Sequence, residues 1–228
     1  MYNNMCGRFT QTASPAVIAQ QFGVVVPPLF TARYNIAPSQ PVAAIRIEPG
    51  TTSRQLVLLR WGLIPSWAKD PKIGHQCINA KVETVAEKPS FRAAFKTRRC
   101  LVIATGFYEW QVHGLRKQPM WIGLKSHRPF AFAGLWEHWH PPEGADIESC
   151  TILTTEPNEL LQPIHNRMPV ILAPAAYDQW LDPTDHQADS LKALLRPYPS
   201  EELTAYPVST LVNNPRHDAP DCLEPVSV

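Results

Sequence analysis

The chain has 228 residues, is 44% hydrophobic and carries a formal net charge of +1, which suits one large domain or two small ones around a real core. With almost no net charge there is no global field to gather nucleic acid, so any such site has to be a local basic face. No stretch approaches the ~18 continuous apolar residues of a membrane helix, and no charged-then-apolar signal opens the chain, so the expected setting is cytoplasmic with no membrane partner.

In chain order, Met5-Cys6-Gly7-Arg8-Phe9 comes first and is the most informative stretch. Met5 is a second candidate start, and Met1–Met5 reads as either a leader or a misassigned start. If Cys6 were the first residue, it would carry an α-amine titrating near ~8 beside a thiol near ~8.5, both partly nucleophilic at neutral pH. An amine condenses with an aldehyde to an imine, and a neighbouring thiol can close on that imine as a five-membered thiazolidine. Against this stands the ordinary role of a free cysteine as a small buried residue. The five cysteines (Cys6, Cys77, Cys100, Cys150, Cys222) are odd in number with no Cys-x-x-Cys pair. Neither a disulfide framework nor a zinc knuckle is indicated, and no metal or cofactor is expected.

Ser14-Pro15 predicts a helix start and Gly23 its end. Residues 24–41 are proline-rich and read as irregular, with Tyr34-Asn35-Ile36-Ala37-Pro38 as a loop. Gln55–Trp61 reads as a buried strand, followed by turns from Gly62 to Gly74. Thr84-x-x-Glu87 has capping-box spacing, but Pro89 interrupts the helix it would start; Ser90–Thr97 reads as a second helix. The runs at 101–104, 107–112, 120–124 and 130–135 predict an antiparallel meander, and 149–154 and 168–172 add two strands. Helices are expected at 174–181 and 189–195. The 24 prolines, about twice the ~5% usual share, imply short elements joined by rigid turns. The expected fold is α+β: one domain over residues 1–228, with 213–228 as a tail and a curved, largely antiparallel, barrel-like sheet flanked by helices.

Three further segments carry chemistry by residue type. Asn79-Ala80-Lys81 is polar at the end of a half-buried strand. Gly106-Phe107-Tyr108-Glu109-Trp110 sets a carboxylate among aromatics, where its pKa should rise and suit acid/base work; a solvent-facing edge-strand glutamate is the plainer alternative. His165-Asn166-Arg167-Met168-Pro169 puts an imidazole in a loop before a strand, within reach of a site.

Together with Trp61-Gly62-Leu63-Ile64-Pro65-Ser66-Trp67, these segments occur in the order found in SOS response-associated peptidase (SRAP) domains. The chain resembles that family from Met5 to about Val212. The resemblance implies a protein that crosslinks itself to ring-opened abasic sites in single-stranded DNA or at single/double-strand junctions, with association with the nucleoid when DNA-bound. It implies Cys6 as nucleophile, Glu109 as proton carrier, His165 as the group assisting sugar opening and adduct release, and Asn79 as the amide that orients cysteine and sugar. Arg8, Pro38, Trp67 and Thr154 match positions that hold phosphates or wedge beside bases. Lys81 departs from the family's usual arginine, keeping the charge without the two-pronged grip. Arg92, Lys96, Arg98 and Arg99 either extend a basic face or are an ordinary solvated helix surface. No obligate protein partner is implied.

Two other classes compete. An N-terminal-nucleophile amidohydrolase can also begin Met-Cys-Gly, but it usually uses an Asn-Gly pair, and this chain contains none. The family's name records a peptidase reading, in which the same cysteine cleaves its own leader. A non-catalytic module for damaged DNA would leave Glu109 and His165 without a task.

Overall fold

The structure is a computed structural model and describes residues 6–27, 30–48, 50–141 and 143–227; the leader Met1–Met5 lies outside them. The elements run β1 (Arg8–Gln11), α1 (Pro15–Phe22), β2 (Arg33–Ile36), β3 (Pro41–Ile47), β4 (Arg54–Trp61), β5 (Asn79–Lys81), α2 (Arg92–Thr97), β6 (Arg99–Ala104) and β7 (Gly106–His113). They continue with β8 (Arg116–Leu124), β9 (Phe130–Trp139), β10 (Ile147–Thr155), β11 (Met168–Pro169), β12 (Ile171–Leu172), α3 (Tyr177–Leu181), α4 (Ala188–Ala193) and β13 (Leu203–Pro207), with short 3-10 turns between.

One sheet closes on itself. β4, β3, β6, β9 and β10 pair in sequence, and β10 pairs back to β4, giving a five-stranded barrel. Its pairs are antiparallel except β10–β4, where Ser149 and Cys150 run parallel to Arg60 and Trp61. The second sheet, in the order β13-β8-β7-β1-β2, is antiparallel and covers the barrel. The α+β architecture with a largely antiparallel, barrel-like sheet is therefore present.

The strand period builds the layers. Along β6, Leu101 and Ile103 face the helices, packing with Ile18, Phe22, Phe95 and Trp180. Cys100, Val102 and Ala104 face inward, with Phe9, Phe107 and Phe132. All six β6 residues are buried because both faces are covered. Each large apolar side chain withdrawn this way contributes roughly 1.5–3 kcal/mol. α1 forms where its caps predict: the Ser14 hydroxyl accepts from Val17 N–H at 3.4 Å and Gly23 closes it at φ 64°.

Four expectations are corrected. The meander does not form: β6 lies in the barrel and β7 in the other sheet, so of the four runs at 101–104, 107–112, 120–124 and 130–135 only β7 and β8 pair as successive strands. The stretch read as irregular contains the edge strand β2, whose Tyr34 and Asn35 N–H groups are taken by the Asp218 carboxylate, at 2.5 and 2.9 Å. β3 begins on Pro41, a tolerated first-strand position. The 168–172 run is two strands, because Val170 turns between them to bond Leu153 and Ala133. The segment after 213 packs on the second sheet, with Cys222 fully buried and Val208 bridged to Pro225.

Candidate active site

Cys6 sits just before β1 and is 1% exposed. β1 pairs β7 with Arg8 opposite Tyr108, and alternation along β7 then decides which side chains turn inward. Phe107 packs in the apolar interior, whereas the Tyr108 hydroxyl turns outward to donate to the Tyr34 carbonyl at 2.7 Å. Glu109, two residues after Phe107, continues the inward row and is 1% exposed. Its Oε1 accepts the Cys6 N–H at 2.8 Å.

Asn79 arrives by a return of the chain. β4 ends at Trp61, the chain loops out, and β5 re-enters along the same edge of β10, with Asn79 opposite Ile152 and Lys81 opposite Thr154. The loop is cinched where Gly62 meets Gly74: a Cβ on Gly62, at φ 128°, would lie 2.7 Å from the Gly74 carbonyl oxygen. The Trp61 indole N–H donates to the Ile78 carbonyl at 2.8 Å, beside Asn79. Asn79 Nδ2 then donates to the Cys6 carbonyl at 3.2 Å. Cys6 is held from both sides of its backbone.

His165 brings its Nδ1 to 4.0 Å from the same Glu109 Oε1, with its side chain 17% exposed. The ring is oriented by the Arg167 backbone N–H, which donates to Nδ1 at 3.2 Å. Arg167 is the residue that reading by type passed over. Its guanidinium grips Glu83 with two bonds of 2.6 and 3.0 Å and also donates to the Thr154 carbonyl, fastening the histidine loop to the end of β5 and to β10. The signal was present in the sequence: an arginine two residues from the histidine and an acid two residues beyond Lys81.

The electrostatics follow from burial. Desolvation pushes the Glu109 carboxyl up to about 8, and the Cys6 N–H bond offsets only part of that rise. Burial, reinforced by the Glu109 charge, pushes the Cys6 thiol well up, so its sulfur is held as S–H at neutral pH. A carboxyl titrating near neutrality beside a nitrogen, a thiol and an imidazole can take and return protons. The four residues expected to do chemistry are thus brought together.

The residues expected to meet DNA are less uniform. Trp67 is 57% exposed, with its ring N–H on the Pro89 carbonyl at 3.3 Å. Lys81 is exposed and Pro38 half-buried. The Arg8 guanidinium is engaged within the protein, by Asn35 Oδ1 and the carbonyls of Val212 and Asn213. Thr154 is fully buried. Of the basic helix residues, Arg98 pairs with Glu137 at 2.8 Å. Arg99 is buried, donating to backbone carbonyls of Phe95, Lys96, Trp180, Asp182 and Asp185. These two are structural.

The family model for SOS response associated peptidase (SRAP) matches this chain over residues 5–215, a stretch that holds Cys6, Asn79, Glu109 and His165, and the chain belongs to that family. Among similar proteins, one from Bacillus subtilis (strain 168) named "Abasic site processing protein YoqW" is 47% identical, over 96% of this chain and 99% of that protein. "Abasic site processing protein HMCES" of Xenopus tropicalis is 36% identical over 77% of this chain and 59% of its own length. A crystal structure of a protein from Bacteroides thetaiotaomicron shares the fold with a TM-score of 0.87 and 26% identity, covering 97% of this chain and all of that one.

Proposed function

We propose that this protein senses abasic sites in single-stranded DNA, or at single/double-strand junctions, and crosslinks itself to the opened sugar through Cys6. The names of its relatives support abasic-site processing. The observation that carries the chemistry is the 2.8 Å bond from the Cys6 nitrogen to a carboxyl whose pKa lies near 8.

With Cys6 first in the chain, its neutral amine adds to the aldehyde carbon to give a carbinolamine. Glu109 donates a proton, the hydroxyl leaves as water, and a C=N bond forms. The resulting iminium keeps its N–H: the Cys6 sulfur bonds to that carbon, the thiol proton returns to the Glu109 carboxylate, and the C=N π pair becomes the nitrogen lone pair, closing the thiazolidine. One water is released and nothing is oxidised. His165 moves a proton between the sugar hydroxyl and the ring oxygen during opening, and again during release. Asn79 holds the cysteine backbone in attack geometry. Trp67 offers a face for an unpaired base, worth roughly 1–3 kcal/mol per base, and Lys81 offers a phosphate contact. The assignments of Arg8, Pro38 and Thr154 to DNA contacts rest on the family resemblance.

A self-processing reading has its own support: with Met5 ahead of it, the Cys6 nitrogen is a peptide nitrogen, whose delocalised lone pair cannot attack an aldehyde. Glu109 would take the thiol proton as sulfur attacks the Met5 carbonyl, then pass it to the departing Cys6 nitrogen. Water hydrolyses the thioester, freeing both amine and thiol. A start at Met5 reaches the same end by a simpler route. The test is to incubate mass-verified protein with a single-stranded oligonucleotide bearing one abasic site. Protein beginning at Cys6 is expected to give a heat-stable adduct, and protein retaining Met1–Met5 to bind without one. Efficient crosslinking by the verified full-length chain would overturn the amine mechanism, and glutaminase activity would replace it with the amidohydrolase reading.

A further inference from the structure

A second cluster of chemical groups, sharing no residue with the Cys6 site, lies at the root of the β9–β10 hairpin. Trp139 ends β9, is 5% exposed and donates its indole N–H to the Ala68 carbonyl at 2.7 Å. Its neighbours His138 and His140 therefore turn to the opposite, outer face. Their rings stand 4.2 Å apart, centroid to centroid. In the β9–β10 ladder Trp139 faces Ile147, and the same register carried one step further sets His140 against Asp146. That carboxylate meets both rings: Oδ2 is 3.0 Å from His138 Nε2 and Oδ1 is 2.7 Å from His140 Nδ1.

The geometry points to a divalent transition-metal site formed by His138 Nε2, His140 Nδ1 and Asp146. The three ligating atoms lie within 4.8 Å of one another. Zinc bonds of about 2.0–2.2 Å need donor atoms roughly 3–3.5 Å apart, a contraction within reach of side chains that are 39%, 68% and 48% exposed. Two imidazoles and one carboxylate suit zinc, nickel or copper better than magnesium or calcium, which prefer all-oxygen shells. The backbone supplies the preorganisation, since strand register and the Trp139 anchor hold all three Cβ atoms on one side of the hairpin. Binding needs no net proton release from neutral rings. His138 shifts its proton to Nδ1 and His140 to Nε2, exchanging two N–H···O bonds for two metal–nitrogen bonds. A fourth position stays open to water. An expectation of no metal, drawn from the missing Cys-x-x-Cys pairs, does not bear on a His-x-His strand end with an acid across the turn.

The experiment is equilibrium dialysis of the full, reduced chain against zinc sulfate at pH 7.5, with cobalt(II) absorption as a spectroscopic readout. One zinc per chain is expected, bound at least about tenfold more weakly by His138→Ala and by His140→Ala. Affinity should fall by at least about tenfold at pH 5.5, because protons compete with the metal for the same ligand atoms. Cys6→Ser should bind zinc as the parent does, and unchanged melting curves should show that the exposed-site variants are folded. The proposal is overturned if the His138→Ala/His140→Ala double variant binds zinc like the parent, if the parent binds none, or if Cys6→Ser alone abolishes binding.

Discussion

Two buried glutamates, Glu109 on β7 and Glu137 on β9, are 1% and 5% exposed, yet they meet different partners. Glu137 accepts from the Arg98 guanidinium at 2.8 Å and from the His138 N–H at 3.1 Å, so its charge is matched where it lies. Glu109 meets a peptide N–H and an imidazole instead, and burial raises its pKa to about 8. The same residue type on the same kind of strand is a structural anchor in one place and, in the proposed mechanism, a proton carrier in the other. The fixed cation makes the difference.

The largest expected effect tests whether Glu109 serves nitrogen before sulfur. In protein beginning at Cys6, Cys6→Ala removes the thiol but leaves an α-amine beside the carboxyl. An imine trapped by borohydride should survive while the heat-stable adduct disappears; a normal yield of stable adduct would refute thiazolidine closure. Next is the glutamate pair itself. Glu109→Gln should slow crosslinking by roughly 10²–10⁴-fold, the usual worth of a positioned acid/base, with affinity for intact strands nearly unchanged. Glu137→Gln should leave the rate within about twofold and lower stability by about 1–3 kcal/mol, read from denaturant midpoints. Equal crosslinking rates for Glu109→Gln and the parent would erase the contrast.

The pH dependence of stability separates the two sites in another way. Glu109 has a folded pKa above its unfolded value of ~4.3, so the folded state binds more protons between those values. Its contribution is fully present below about pH 4 and is lost as pH rises towards 8, by roughly 4–5 kcal/mol at ~1.4 kcal/mol per pKa unit. Urea unfolding at pH 5, 7 and 9 should show that slope in the parent and in Glu137→Gln, but not in Glu109→Gln. His165→Ala should slow adduct formation and release by about 10–100-fold while binding is retained; time courses with both steps unchanged would remove the ring from the site. The smallest effect belongs to Lys81→Ala, which should reduce the slope of log affinity against log salt by about one phosphate contact. An unchanged slope places Lys81 off the DNA path.

What the sequence alone determined was local or chemical. Ser14 and Gly23 set the ends of α1 because caps act over a single turn, and Gln55–Trp61 appeared as a strand because its apolar run is nearly continuous, although the expectation that it is buried is corrected: only Leu59 and Trp61 are buried and Leu58 is 63% exposed. Cys6, Asn79, Glu109 and His165 stood out by residue type and by their resemblance to a family pattern. The tertiary structure decided how they are used, because their contacts join distant segments. The Cys6–Glu109 bond spans 103 positions. The placement of β6 and β7 in different sheets is set by ladder partners that no local signal names. The edge strand β2 depends on Asp218 covering its N–H groups. Arg98 and Arg99 share the sequence signature of a basic surface, and only the arrival of Glu137 and a ring of carbonyls makes them interior supports. Propensity and capping act within a few residues of the chain, whereas burial, register and pKa depend on which groups the closed barrel brings against one another.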